Sequence, residues 1–122
     1  MKNPVHWFEI YVQDMALARQ FYESVLDVKL QRLSSGDAEM WAFPMSMEHV
    51  GSGGSLVKVE GVRSGGNSTL VYFACEDCAL EASRIESAGG KVQRQKLSIG
   101  EHGHVVLAID TEGNMIGLHS LK

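Results

Sequence analysis

Positive charge is thin along this chain. Its 11 lysines and arginines are outnumbered by 15 aspartates and glutamates, the formal net charge is -4, and the basic residues nowhere cluster. A surface that grips phosphates is therefore not expected, and nucleic acid is not an expected partner. Cysteine is scarce as well. Two residues, Cys75 and Cys78, provide no disulfide framework, and both are expected as reduced thiols. No apolar run reaches the length of a membrane span, and the opening MKNPVHWFEIYV is too short and too polar for an export signal. The expected compartment is the cytosol, with no membrane partner. G-x-S-x-G, the P-loop, G-x-G-x-x-G and H-E-x-x-H are all missing, which removes the common nucleophile elbow, phosphate cradle, dinucleotide fold and zinc-protease helix.

What is present suits one compact domain spanning residues 1–122. With 44% hydrophobic and 21% charged residues, a chain of this size buries about two thirds of its unfolded surface without staples. The main organising feature is a repeat. Shifting Trp7–Leu26 forward by 63 residues lays Asp14 on Asp77, Ala16 on Ala79, Leu17 on Leu80, Glu23 on Glu86 and Ser24 on Ser87. One deletion later, Lys29, Gln31 and Arg32 fall on Lys91, Gln93 and Arg94. One unit, residues 4–62, is used again as residues 67–122.

Period-two alternation predicts a strand over Val5–Val12, with Trp7, Glu9 and Tyr11 on one face and His6, Phe8, Ile10 and Val12 on the other, toward a covering helix. Asp14 is an N-cap. Leu17, Ala18, Phe21, Tyr22, Val25 and Leu26 form a helical stripe, and Phe21-Tyr22 is expected in the core. Strands follow over Val28–Leu33, Glu39–Pro44 and Ser55–Val59, with a turn at Ser34–Asp37 and a loop over Met45–Gly54. Gly61–Asn67 has linker composition. The second unit repeats the order: strand Thr69–Ala74, a helix capped by Asp77 with Leu80, Ile85 and Ala88 inward, a Gly89-Gly90 stop, then strands Lys91–Ser98, Val105–Ile109 and Met115–Leu121. The fold class is α+β: two βαβββ modules making one curved eight-stranded mixed sheet, helices outside and a concave cleft inside.

The stretch V-x-D-M-x-x-A-x-x-F-Y-x-x-V-L at Val12–Leu26, then Gly53-Gly54-x-Leu56-Val57, and D-x-E-G-N-x-I-G-L-H at Asp110–His119 resemble the vicinal oxygen chelate superfamily of glyoxalases, bleomycin-resistance proteins and extradiol dioxygenases. The chain is most similar to small stand-alone proteins related to lactoylglutathione lyase. The resemblance implies homodimers, in some members with the cleft shared between subunits. It also implies a divalent ion held by His and Glu on the concave face. The first such ligand is a His seven residues before the capping Asp, a position occupied here by Trp7, with Leu70 as its counterpart in the repeat. The last is a Glu at the place of Gly117. The fourth position falls near Gly54–Val57, which holds no acid, His or Cys. All four look empty, so no cofactor is expected. His6 sits beside the first position but on the opposite face.

Glu9 is the candidate catalytic residue. In a cleft between Trp7 and Tyr11, burial would raise its pKa and suit it to proton transfer; the competing role is a structural hydrogen bond to a backbone amide or to Tyr72. His119 shares the face of Gly117, where it pairs with Glu9, contacts a ligand, or simply ends a strand. His102 and His104 lie in a Glu-His-Gly-His cluster that either covers a ligand or adds to the surface. These three histidines are the remaining metal candidates. Cys75 and Cys78 replace Val12 and Met15 in the repeat and read as apolar fillers. Two functions stay open: a small-molecule-binding protein whose inherited metal site is lost, its cleft lined by Trp7, Glu9, Tyr11, Trp41, Tyr72, His104 and His119; or a metal-dependent lyase, isomerase or dioxygenase with Glu9 as base and a non-standard ion site.

Overall fold

Alternation in WFEIY builds the first strand, β1 (Trp7–Tyr11), and every later element follows the order read from the repeat. A computed structural model describes residues 3–33 and 36–122. After β1 come α1 (Met15–Leu26), β2 (Gln31–Leu33), β3 (Glu39–Ala42), β4 (Gly53–Lys58), β5 (Tyr72–Ala74), α2 (Cys78–Ala82), β6 (Lys91–Ser98), β7 (His104–Ile109) and β8 (Met115–Ser120). The first two residues of the expected Ser34–Asp37 turn lie outside the described residues.

The eight strands form two four-stranded mixed sheets, ordered β1-β4-β3-β2 and β5-β8-β7-β6. The expectation of one continuous sheet is corrected in this respect: among the described residues no ladder joins the halves, and the sheets do not close. The outer edge of β1 is capped instead, because the Tyr11 carbonyl accepts from Ser64 Oγ at 2.6 Å and from Asn114 Nδ2 at 3.2 Å. In each half the first strand runs parallel to the fourth, with Glu9 opposite Ser55 and Tyr72 opposite Gly117.

Asp14 caps α1, its Oδ1 accepting from Leu17 N at 3.1 Å. Met15, Ala18, Phe21, Tyr22 and Val25 form the buried stripe, whereas Leu17 is 42% exposed. In α2, Cys78 and Ala82 face inward and Leu80 is 59% exposed. Turns carry the chain on past Ile85, which is fully buried, to Gly89 at φ +99. The strand expected from Val28 begins only at Gln31. The reason is Glu23: its carbonyl accepts from Val28 N and its Oε2 from Leu30 N, so the exit of α1 bonds back to the helix.

Both halves contribute to one core. Phe8, Phe43, Phe73 and Tyr22 stack with Phe43–Phe73 and Tyr22–Phe43 ring centroids 5.3 and 5.5 Å apart, joined by Leu56, Ile85, Val106, Ile116 and Leu118. Each fully buried large side chain contributes roughly 1.5–3 kcal/mol. Among the described residues no helix is long and apolar enough to cross a membrane.

The Asp110–Asn114 turn between β7 and β8 ties the halves together. Tyr22 OH donates to Asp110 Oδ2 at 2.6 Å. Glu112 accepts from the backbone N–H groups of Gln13 and Asp14 at 2.8 and 3.0 Å. Burial first, and then the Asp110 charge, hold the Tyr22 phenol well above its ordinary value of 10.0. A folded pKa raised in this way gives stability that is complete below the unfolded value and is lost as pH rises beyond it. Urea midpoints measured from about pH 8 to about pH 11 should therefore fall less in Tyr22→Phe than in the parent protein. At neutral pH the same change should cost about 1–2 kcal/mol. Parallel curves would rule out the Tyr22 contribution.

Candidate functional site

Period two places Phe8 and Ile10 against the core and Trp7, Glu9 and Tyr11 on the face that no helix covers. Here Trp7 Nε1 donates to Glu9 Oε2 at 3.3 Å and Tyr11 OH donates to Glu9 Oε1 at 2.7 Å. The short bond is charge-assisted. It raises the Tyr11 phenol pKa above 10.0, with burial and the Glu9 charge acting in the same direction. Glu9 itself is exposed, so the burial that would fit it for proton transfer is missing. Its partners are the aromatic neighbours on its own strand, neither a backbone amide nor Tyr72. The result is a carboxylate fixed in place between two rings and open to solvent.

At the four inherited ligand positions the side chains are the wrong kind. Trp7 holds the first, and its ring lies against Gly53, where an added Cβ would stand 3.3 Å from the indole and 3.3 Å from Met45 Sδ. Because Glu9 opposes Ser55 as Tyr72 opposes Gly117, Ser55 is the counterpart of Gly117 and fills the fourth position. It is fully buried, and its hydroxyl has no partner among the described residues. The ring of Tyr72 covers Gly117 so closely that a Cβ there would lie 2.3 Å from Tyr72 Cδ1. Leu70 is exposed. An indole, one hydroxyl, an alkyl chain and a glycine do not fit a divalent ion, which takes three or four nitrogen, oxygen or thiolate ligands. Among the described residues no three His, Cys, Asp or Glu side chains are grouped so as to hold one.

The histidines do not assemble a substitute. His119 Nε2 lies 2.7 Å from the His102 carbonyl; a carbonyl only accepts, so this nitrogen carries the proton and the ring pins the Gly100–His102 turn. The His102 side chain points to solvent, 3.9 Å from Glu101. His104 pairs with Ser120 and shares the face of buried Val106 and Ala108, so it is on the helix side of the sheet, away from His119. Trp41 is on the helix side too, with the Arg19 guanidinium 3.4 Å above its ring. Tyr72 and His119 do meet, around an apolar hollow of about 460 Å³ with Ala74, Ile99 and Val105. Cys78 is fully buried. The Cys75 thiol is pushed up to about 12 by burial and then by the Glu81 charge, which argues against thiolate chemistry.

Glu9 and Tyr11 also border a cavity of about 250 Å³ at the seam between β1, residues 63–71 and the start of β8. Sequence reasoning missed the contribution of residues 63–71, above all Arg63, because glycines and small polar residues gave that segment the look of a plain linker. A larger hollow of about 590 Å³ lies on the outer side of α1. It is an open groove whose Arg19 and Glu23 pair with each other at 3.3 Å, and it carries no comparable arrangement.

The fold has counterparts among known structures. The E144Q mutant of glyoxalase I from Zea mays superposes with a TM-score of 0.75 at 20% identity, over 97% of this chain and 47% of that one. The present chain thus spans about half the length of the maize enzyme. Hypothetical protein SA1046 from S. aureus gives a TM-score of 0.74 at 15% identity, over 98% of this chain and 95% of that one. A glyoxylase/bleomycin resistance protein/dioxygenase domain from Frankia sp. EAN1pec gives 0.74 at 14%, over 98% of each chain. At these identities the likeness is one of fold. No curated protein matches the sequence. The profile of one family matches residues 5–118, and the chain belongs to the Glyoxalase/Bleomycin resistance protein/Dioxygenase superfamily.

Proposed function

We propose that this protein binds a small molecule on its uncovered sheet face, anchored by Glu9, and has given up the metal chemistry of its relatives. The observation that carries this reading is the content of the four inherited positions: Trp7, Ser55, Leu70 and Gly117, with aromatic rings packed over the glycines at or beside two of them. The clamp on Glu9 adds support, since a carboxylate held by Trp7 and Tyr11 is oriented before any ligand arrives. A homodimer in the cytosol completes the proposal, by analogy with the superfamily, and sedimentation velocity checks the first of these.

Metal analysis of the untagged protein, with thermal shifts in Ni²⁺, Zn²⁺, Mn²⁺ and Fe²⁺, tests the metal-free reading. A stoichiometric ion, or a shift of several degrees lost in His102→Ala or His119→Ala, would overturn it in favour of a metal-dependent lyase, isomerase or dioxygenase. A small-molecule binding screen supplies ligands for the Glu9 test. Because Glu9 is exposed, Glu9→Gln should keep its melting temperature while affinity falls on the order of tenfold or more, as expected when a charged hydrogen-bond partner is removed. An unchanged affinity removes Glu9 from the site.

A further inference from the structure

The seam cavity carries more than Glu9. Its polar lining is largely committed to holding the fold. Asn114 Oδ1 accepts from Gly65 N at 2.6 Å while its Nδ2 donates to Tyr11 O and Asp110. Asn67 accepts from Met115 N and donates to Thr69 O and Met115 O. The charged groups on the lining are Glu9 from β1 and Arg63 from the segment that follows β4. Neither enters an ion pair among the described residues, with the other or with a third group.

Two unpaired opposite charges bordering one small cavity are informative because each is mounted on a fixed support. Glu9 is clamped by Trp7 and Tyr11. Arg63 extends from a backbone pinned on both sides: Gln13 Nε2 donates to Val62 O at 2.9 Å and to Ser64 Oγ at 3.0 Å, and Ser64 Oγ donates to Tyr11 O. The linker is thus stitched to β1 around a guanidinium that has no partner among the described residues. The lining also carries the apolar side chains of Phe8, Ile10, Val71 and Ile116. A volume of about 250 Å³ falls just below the usual ligand-pocket range of roughly 300–1,000 Å³, which limits the occupant to about the size of a single amino acid.

We infer that the seam cavity binds a free α-amino acid with an apolar side chain, its ammonium on Glu9, its carboxylate on Arg63 and its side chain on the Phe8–Ile116 floor. Guanidinium and carboxylate match as a bidentate pair, and the tethered carboxylate accepts from the ammonium. This names a ligand class for the Glu9 site and rests on the binding role proposed above.

Calorimetric titration with phenylalanine, phenethylamine and 3-phenylpropionate separates the charges while holding the ring constant. The expected result is that phenylalanine binds at least tenfold more tightly than either analogue. Glu9→Gln should reduce phenylalanine to the level of 3-phenylpropionate, and Arg63→Gln to that of phenethylamine. Both residues are exposed, so both variants should keep the parent melting temperature, and added salt should weaken binding. Phenethylamine binding as well as phenylalanine, with Arg63→Gln silent, overturns the amino-acid assignment and leaves the Glu9 reading standing. So does a failure of all three compounds while another small molecule still requires Glu9. Phenylalanine binding that survives Glu9→Gln overturns both.

Discussion

Asp110→Ala should lower stability by about 3–5 kcal/mol, because it strips a buried charged acceptor from several donors at once. In a chain of this length that is roughly 10–20 °C in Tm. Asp110 is 4% exposed. Its Oδ1 accepts from the backbone N–H groups of Glu112 and Asn114, both at 2.8 Å, and its Oδ2 from Tyr22 OH and Asn114 Nδ2 at 2.6 and 3.1 Å. Without it the Tyr22 hydroxyl is buried and unpaired, and the turn that presents Glu112 to the start of α1 loses its frame. Differential scanning calorimetry measures the effect, and a Tm within about 3 °C of the parent would mean that the turn holds its shape by other bonds.

Gly103→Ala should be comparably damaging for a different reason. Gly103 has φ +105, and a Cβ there would stand 2.3 Å from the Ser120 carbonyl and 3.0 Å from Leu121 Cα, both backbone atoms. Conformational strain alone costs of order 1–3 kcal/mol, and the clash adds to it because neither backbone atom can rotate away. Gly100→Ala is the matched control, since that glycine has φ +84 with nothing within 4 Å of the added carbon. Gly100→Ala should lose only about 1–2 kcal/mol and Gly103→Ala distinctly more. Equal losses would show that φ, and not contact with β8, governs the position. The His119 ring signal should also move in Gly103→Ala, because the turn that receives its Nε2 proton is displaced.

Much of the architecture was legible because the repeat states it twice. The capping aspartates and the alternation in WFEIY each carry a local physical signature, and each forms as read. What stayed hidden were effects between distant segments. Trp41 looks like a cleft aromatic until strand pairing sets it opposite Leu56 on the core side, beneath Arg19. His104 and His119 both read as cleft-lining residues, yet β7 and β8 present them to opposite faces. Val28–Leu30 has strand composition, but the Glu23 side chain, seven residues from Leu30, takes its backbone. For the candidate site, the aromatic-acid-aromatic alternation around Glu9 was readable. Its exposure was not, since that depends on which surfaces the helices leave uncovered. Nor was Arg63, whose meaning comes from the cavity it borders.

The tie at the Asp110–Asn114 turn has a consequence for how this chain tolerates change. The repeat is symmetric in strand order but not in bonding. The equivalent connection in the first half, between β3 and β4, makes no such tie among the described residues: Met45, Met47 and Val50 stand exposed on it, at 56%, 103% and 96%. The duplicated units have thus divided their duties. One copy of the loop is constrained by the partner half, whereas the other is released to drift in length and sequence, as exposed loops usually do. Divergence among relatives with this arrangement should concentrate in residues 44–52, at one mouth of the uncovered face, where new ligand contacts can arise without unsettling the fold.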